Sequence, residues 1–470
     1  MKRNYSALPP FGLAAAGCLL AAYFAIFRPQ YLNSRYLSGF IFLQVLIVAL
    51  WRYAERFFPL LMFVFLWAGT AFPLQSEWTT GRWFVLAVAA AAGSAAYSRR
   101  RTHQFHTLHL FALFCVLSAV VSALVSSHPK QALLKALSLL LLFLYASSGA
   151  RLSIADRAEK FFPGLLLACE ILVYVTALAY FAFHLEVFGN RNSLGAVMGV
   201  VVVPVLLWGL VVSEPKVRQR RMIALLVALF LLFFSLARAS IVAGPAVCLI
   251  FCISLRRYRL VAGGLAVMLI FAVCAGMLAP RETAEPDSTA SLLLYKGHRE
   301  EGILGSRKTP WEQTLSVIEQ HPWFGSGFGT SITQDPASDG ARKYATSSGT
   351  IREHGNSYLA IAEWVGLLGL MPFVALLLLV VKQAARVFSW LNRTHNPRHL
   401  AVPAAMILTA GLIHAVFEDW LFAVGYYLCV FFWALAFSLP DFLPEREAPV
   451  PVAASRPGIR LPFTAAMVRR

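Results

Sequence analysis

Charge is scarce in this sequence. Only 14% of its 470 residues are charged, against 59% that are hydrophobic, whereas soluble globular chains carry about a quarter of their residues as charges. That shortage excludes an ordinary soluble domain. Acidic residues are the scarcer kind, 23 against 41 Lys and Arg, and a net charge of +18 could suit a nucleic-acid binder if the basic residues shared one polar surface. They do not: they fall in short polar segments between apolar windows, which points to membrane lipid and away from nucleic acid. The seven cysteines (Cys18, Cys115, Cys169, Cys248, Cys252, Cys274 and Cys429) all lie inside apolar windows with no C-x-x-C pair. Such cysteines read as small packing residues and exclude a zinc site or a disulfide frame. There is no internal repeat, no low-complexity tract, and no DxD-like or His-rich metal cluster in the outer loops, which agrees with chemistry that uses no metal and no cofactor.

Long apolar windows are abundant, and each of about 17 to 25 residues can cross a hydrocarbon core as a helix. The sequence predicts an all-α polytopic transmembrane bundle of about 12–14 spans with one long periplasmic loop holding short amphipathic helices. Residues 1–280 form about eleven spans with a cytoplasmic N-terminus, 281–353 the loop, 354–440 about three more spans, and 441–470 a disordered tail. Lys2 and Arg3 precede the apolar run Phe11 to Phe27 as in a secretory signal, but no cleavage site follows, so this run counts as the first span. The spans near 356–381, 400–416 and 420–440 are the last three. Basic residues concentrate on alternate connections, including SRRR at 98–101 and KVRQRR at 216–221. Positive charge stays inside, so the 281–353 insertion faces outward.

Few arginines remain outside, and each needs a reason. Arg191 sits in FGNRNSLG, an irregular turn leading into a helix. Arg238 sits in SLARAS, a connection so tight that its guanidinium lies at or inside the membrane boundary. Unpaired at a helix centre, such a charge costs roughly 2.5 to 3.5 kcal/mol. An anionic ligand would offset it, as would snorkelling or a partner such as Glu186, Glu418 or Asp419. Glu170 and Glu363, within spans, read as paired structural carboxylates or channel-lining groups.

In the insertion, Thr309, Pro310 and Glu312 have N-cap, N1 and N3 spacing, predicting a helix from Pro310 to about Gln320. Trp311, Leu315 and Ile318 would form its apolar stripe, lying on the outer face of the bundle or in the lipid interface. Arg307 and Lys308 ahead of its free amides fit a phosphate site and a solvated basic turn equally well. GSGFG at 325–329 reads as a flexible turn. His354 stands where the chain re-enters the membrane; the field of a helix N-terminus keeps the ring neutral, as a general base requires, though a structural interfacial histidine fits too. Glu363, about 13 Å deeper by helix rise, is not an obvious partner for it.

These residues together resemble a known signature. HGNSYLAIAEWVGLLG is similar to that of the O-antigen ligase and polymerase superfamily, in which a histidine is followed by Asn, an aromatic and Leu, then Glu and two spaced glycines: His354, Asn356, Tyr358, Leu359, Glu363, Gly366 and Gly369. FGNRNSLG, the arginine of SLARAS, and Arg307 with Trp311 ahead of HPWFGSGFG agree in order and topology. Gly355 intervenes where His and Asn commonly adjoin, and Ala237 replaces a serine often next to the upstream arginine.

The resemblance implies a metal-free membrane glycosyltransferase of the bacterial inner membrane. It would take a glycan from undecaprenyl diphosphate to lipid A core, as a ligase does, or to another glycan, as a polymerase does. His354 would activate the acceptor hydroxyl, Arg238 and Arg307 would bind the donor diphosphate with Arg191 at the same donor, and Asn356 and Tyr358 would support the histidine. The alternatives are a transporter or flippase, which would show inverted repeats or glycine- or proline-broken helices that the sequence does not display clearly, and a non-catalytic envelope scaffold.

Overall fold

The computed structural model describes residues 51–70, 75–99, 105–278, 305–331 and 353–444, together with Tyr23 and Phe27. The expected first two spans, the rest of the 281–353 insertion and the tail beyond 444 lie outside these residues. Among the described residues the chain is all-helical, with no strand. A 3-10 turn at Trp51–Arg56 leads into α1 (Phe57–Ala68) and α2 (Gln75–Tyr97). There follow α3 (Thr107–Val125), α4 (Pro129–Ile154), α5 (Ala158–Phe183), α6 (Arg191–Val212), α7 (Pro215–Phe234), α8 (Arg238–Ser254) and α9 (Tyr258–Leu278). After the insertion's helix α10 (Gly305–Gln320) come α11 (Ser357–Thr394), α12 (Ala401–His414) and α13 (Tyr427–Ser438).

Five of these, α3 to α6 and α11, are long and apolar enough to cross a membrane by length and composition, and α8, α12 and α13 are shorter apolar helices. In lipid a helix pairs its own backbone polar groups, which is why this composition folds this way. Apolar helices gain little by merely meeting in lipid, so close packing of small residues joins them. Gly195 and Gly199 of α6 form such a seam: a Cβ on Gly195 would stand 2.4 Å from Ala237 Cβ, and one on Gly199 2.6 Å from the Ser240 carbonyl oxygen of α8. This seam sets the start of α6, with Arg191, beside the start of α8, with Arg238.

Polar contacts sort to the two ends of the bundle. At one end Arg151 binds Asp441 at 2.5 Å, Arg157 pairs with Glu55, and Glu170 meets Arg220 at 2.9 Å and Arg221 at 3.3 Å. Glu170 is thus a paired structural carboxylate. At the other end Arg82 donates to the Gly425 carbonyl at 2.6 Å, and the residues of the candidate site gather there.

Two expectations need correction. The last helix starts at Tyr427, not near 420. Trp420, Leu421 and Phe422 are buried in a non-helical loop whose Leu421 carbonyl accepts the Trp433 indole N–H at 2.8 Å. Their apolarity reflects a buried turn. Second, α11 is broken: Gly366 has φ 66° and ψ −179°, so the chain does contain a glycine-broken apolar helix.

The break is filled by the segment after α10. Ser326 N–H donates to the Glu363 carbonyl (2.9 Å) and Gly327 N–H to Trp364 (3.2 Å), while Leu367 and Leu368 N–H donate to Pro322 (2.7 Å) and Trp323 (3.2 Å). GSGFG is therefore a structural strap that pairs the backbone groups freed by the break, as an apolar setting demands. Only glycine fits at the crossing: a Cβ on Gly325 would stand 2.4 Å from the Trp364 carbonyl oxygen, and one on Gly366 2.5 Å from Gly325 N.

Candidate active site

The site begins with helix α10, which starts five residues earlier than its capping pattern suggests and carries Pro310 inside. Arg307 is therefore in the first helical turn, where a cation is disfavoured by the helix field. Two carboxylates offset this. Nη1 donates to Glu353 at 2.8 Å, and Nη2 donates to Glu418. Burial opposes the guanidinium charge, but the two carboxylates outweigh it and hold Arg307 charged. Lys308 does not join them: it is solvated, 3.9 Å from Glu312. The buried stripe of α10 is Pro310, Thr314 and Val317, with Leu315 exposed, one position from the predicted Trp311, Leu315 and Ile318. Thr314 can be buried because its hydroxyl bonds the Pro310 carbonyl at 2.7 Å, while the half-buried Trp311 gives its indole N–H to the Gly355 carbonyl at 3.2 Å.

His354 is fully buried and lies between two acids. Its Nδ1 is 3.3 Å from Asp419 Oδ2, to which its backbone N–H also donates at 2.9 Å. Nε2 is 3.3 Å from Glu363 Oε2 and 3.0 Å from Ser331 Oγ, and the ring meets Trp364 edge-on. Burial alone would lower its pKa, but the bonds and charges of Asp419 and Glu363 outweigh that and raise it to about 9. Asp419 answers in kind: burial pushes it up, and the bonds from His354 bring it below the usual carboxylate value.

Where the field of a helix end favours a neutral ring, the two adjacent carboxylates favour the imidazolium. Glu363 proves a direct partner because His354 is not on the helix. Asn356 caps α11, accepting from Tyr358 N–H (2.8 Å) and Leu359 N–H (3.1 Å). Gly355 at φ +60° folds the chain back along the first turns. The glycine between His and Asn has a second use: a Cβ there would stand 2.8 Å from Arg307 Nη1.

Asp419 and Glu418 belong to the loop between α12 and α13, stapled to the start of α11. Ser357 N–H donates to Ala415 (2.9 Å), and its hydroxyl donates to the Glu418 carbonyl (2.6 Å) while accepting from Leu421 N–H (3.1 Å). The Tyr358 hydroxyl ties α11 to the Leu412 carbonyl at 2.8 Å. Burial raises the Glu418 pKa to about 7; Arg307 opposes this, and Asp419 and Glu353 add to it.

Arg238, half-buried at the first turn of α8, is close enough to Arg307 for their charges to interact. It follows Leu236, whose φ of 52° is costly for a branched side chain. Behind it Ser240 Oγ is 3.0 Å from His414 Nε2, and Trp420 donates to His414 Nδ1 at 2.8 Å. His414 therefore accepts at Nδ1 and donates to Ser240 from Nε2. Arg191 is at the same end but apart, exposed and 5.8 Å above the Phe234 ring. The fold thus brings together Arg238, Arg307 and the His354 group, and leaves Arg191 on an aromatic shelf. Sequence reading missed Glu353, Ser331 and the joint role of Glu418 and Asp419. The adjacent acids of FEDW, in a connection otherwise poor in charge, were the available signal. Among the described residues no group of three or more His, Cys, Asp or Glu side chains is disposed to hold a metal ion.

An apolar helical bundle with paired arginines and a buried acid–histidine–acid group at one end defines a multi-pass membrane protein with a charged site at its surface. Residues 223–374 match the O-antigen ligase family model, which supports a place in the O-antigen ligase and polymerase superfamily and points to a glycosyltransferase of that type. The matched stretch contains Arg238, Arg307, His354, Asn356, Tyr358 and Glu363; Arg191, Glu418 and Asp419 lie outside it. No curated protein matches the chain.

Proposed function

We propose that this protein moves a glycan from an undecaprenyl-diphosphate donor to an acceptor hydroxyl at the periplasmic face of the bacterial inner membrane. The acceptor is lipid A core or another glycan. The observation that carries this reading is the meeting of Arg238, ahead of the long insertion, with Arg307, inside it, at the same end of the bundle as His354. When a sugar leaves a lipid diphosphate, negative charge grows on the diphosphate, and fixed guanidiniums stabilise it in place of a divalent ion. They also offer bidentate bonds to phosphate oxygens. Arg191, further out, serves the entering donor. An apolar cavity of about 540 Å³ between α3 and α11, lined by Phe111, Phe114, Val365 and Met371, suits the isoprenoid chain. The concentration of basic residues on the opposite connections supports a periplasmic site.

An imidazole that acts as a base must be neutral and must reach the acceptor hydroxyl. His354, its ring held between Asp419 and Glu363, is the residue proposed to activate the acceptor hydroxyl. The transporter reading gains a broken helix at Gly366. Its freed backbone groups, however, bond to the strap at 322–327 and so do not stand open to a solute.

Reconstitution of the wild type with a purified undecaprenyl-diphosphate glycan and candidate acceptors in EDTA tests the reading. Transfer that is lost in Arg238→Ala, Arg307→Ala and His354→Ala is the expected result. Undiminished transfer by all three variants overturns the site, and solute uptake without glycan transfer favours the transporter.

A further inference from the structure

A second pair of cations stands at the site end of the bundle. Arg82, near the start of α2, is turned inward: Nη1 donates to the Gly425 carbonyl at 2.6 Å, and Nε is buried with no hydrogen-bond partner among the described residues. Its other neighbour is the Trp83 ring, 5.1 Å from Cζ. Lys135, near the start of α4, is half-buried, and the backbone of Gly329 lies against its stem, where a Cβ would stand 3.1 Å from Lys135 Cβ and Cγ. The two charges are close enough to interact. Among the described residues neither meets a carboxylate, and the Lys135 ammonium has no bonded partner. Arg307, by contrast, is held by two carboxylates.

Two adjacent cations without acids are costly in an apolar bundle. Snorkelling, the usual relief, is not open to Arg82, whose guanidinium faces the 425 loop. An anion offsets both charges. A phosphate monoester carries about −1.5 to −2 near neutrality and so matches the pair, whereas the single charge of a phosphodiester would leave it half-neutralised. A guanidinium with Nη2 unbonded and a mobile ammonium are the donors that phosphate oxygens take. The segments that touch the two cations also enclose His354. Gly329 is two residues from Ser331, at most about 7 Å of chain, and the Ser331 hydroxyl is 3.0 Å from His354 Nε2. Gly425 shares its loop with Asp419, 3.3 Å from His354 Nδ1. With the donor diphosphate on Arg238 and Arg307, the ligand left for this second pair is the acceptor.

We propose that Arg82 and Lys135 form a second anion site, which takes a phosphate monoester borne by the acceptor lipid and so holds that lipid beside His354. The proposal rests on the glycosyl-transfer reading. No bond is made or broken at the pair; it binds and orients. Donor and acceptor are then anchored by separate pairs of cations, and loss of the second pair weakens the acceptor while leaving the donor bound.

The test uses the full chain in phosphatidylcholine nanodiscs, with Lys135→Gln and Arg82→Gln beside the charge-keeping Lys135→Arg and the wild type. The probes are lipid A core and the same lipid stripped of its phosphate monoesters by phosphatase. Affinity is read without donor, and KM and kcat are read in transfer. The wild type should bind the phosphorylated lipid roughly 10-fold more tightly. Both glutamine variants should lose that preference and raise the acceptor KM by a similar factor, with kcat and affinity for undecaprenyl diphosphate unchanged, and Lys135→Arg should keep it. Should Arg82→Gln fail to fold without its bond to Gly425, Lys135→Gln decides alone, since its ammonium has no bond among the described residues to lose. Equal binding of the two lipids by the wild type, or a preference that survives in Lys135→Gln, overturns the proposal. So does loss of the wild-type preference when phosphatidylglycerol is added, because the pair then takes any lipid phosphate. If the wild type transfers no glycan, the functional reading fails separately. The two lipid affinities need no transfer and still decide the site.

Discussion

The carboxylate of Glu363 lies 3.3 Å from Nε2 of His354, with both side chains fully buried. Nine positions separate them along the chain. The contact exists because Gly355 reverses the chain before α11 and Gly366 ends the first part of that helix, so the imidazole is folded against turns that it precedes.

This burial makes stability depend on pH. The His354 pKa is raised to about 9 from an ordinary 6.5, so its contribution is complete below 6.5 and is lost as pH rises through 9. Asp419 is lowered, so its contribution is present above the ordinary carboxylate range and is lost as pH falls through its lowered value. The thermal midpoint in detergent should therefore fall between pH 7 and 9.5. His354→Gln should flatten that decline, and a parallel slope in the variant would refute the linkage.

Glu363→Ala leaves the imidazolium with one acid instead of two. Removing one partner of a buried ion pair costs roughly 3–5 kcal/mol, and the remaining Asp419 should hold the loss towards the lower end. Chemical unfolding in detergent measures it. Glu363→Gln, which keeps one acceptor oxygen, should lose less.

Gly366→Ala and Gly325→Ala place a Cβ within 2.5 Å of backbone at positive φ. Neither neighbour can yield, because both are backbone. Each variant should lower the thermal midpoint or abolish folded protein on size exclusion. Gly164→Ala, where no atom lies within 4 Å, should leave the midpoint unchanged or slightly raised, since alanine is the better helix former.

Gly355→Ala meets a side chain instead. Its Cβ would stand 2.8 Å from Arg307 Nη1, and the positive φ adds strain of roughly 1–2 kcal/mol. Arg307 should shift from its place between Glu353 and Glu418. Weaker undecaprenyl-diphosphate binding in a protein that still folds is the expected outcome, measured by titration in nanodiscs.

The three arginines should separate by affinity. Loss of a charge-assisted bond costs about 1.5–3 kcal/mol, so Arg238→Ala and Arg307→Ala should weaken undecaprenyl-diphosphate binding by roughly 10- to 100-fold. Arg191→Ala, on its aromatic shelf, should cost severalfold less. Equal losses for all three would place Arg191 in the site itself.

The sequence by itself determined the solvent of this protein and the identity of its principal charged groups. Apolar windows long enough to span a bilayer call for helices, since a helix pairs its own backbone groups in lipid. Arginines in outer connections stand out because charge is costly there. Tertiary structure decided what those groups meet. The apolar pattern places the α10 stripe one position off because Thr314 can bury its hydroxyl on its own turn. Hydropathy reads the buried loop as part of a span because it does not distinguish Trp420–Leu421–Phe422 in a turn from the same residues in a helix. The charge on His354, the opening of α11 and the grip of Glu418 on Arg307 all follow from contacts between segments far apart in the chain. Periodicity and local spacing carry no record of such contacts; only the folded chain brings these residues within bonding distance.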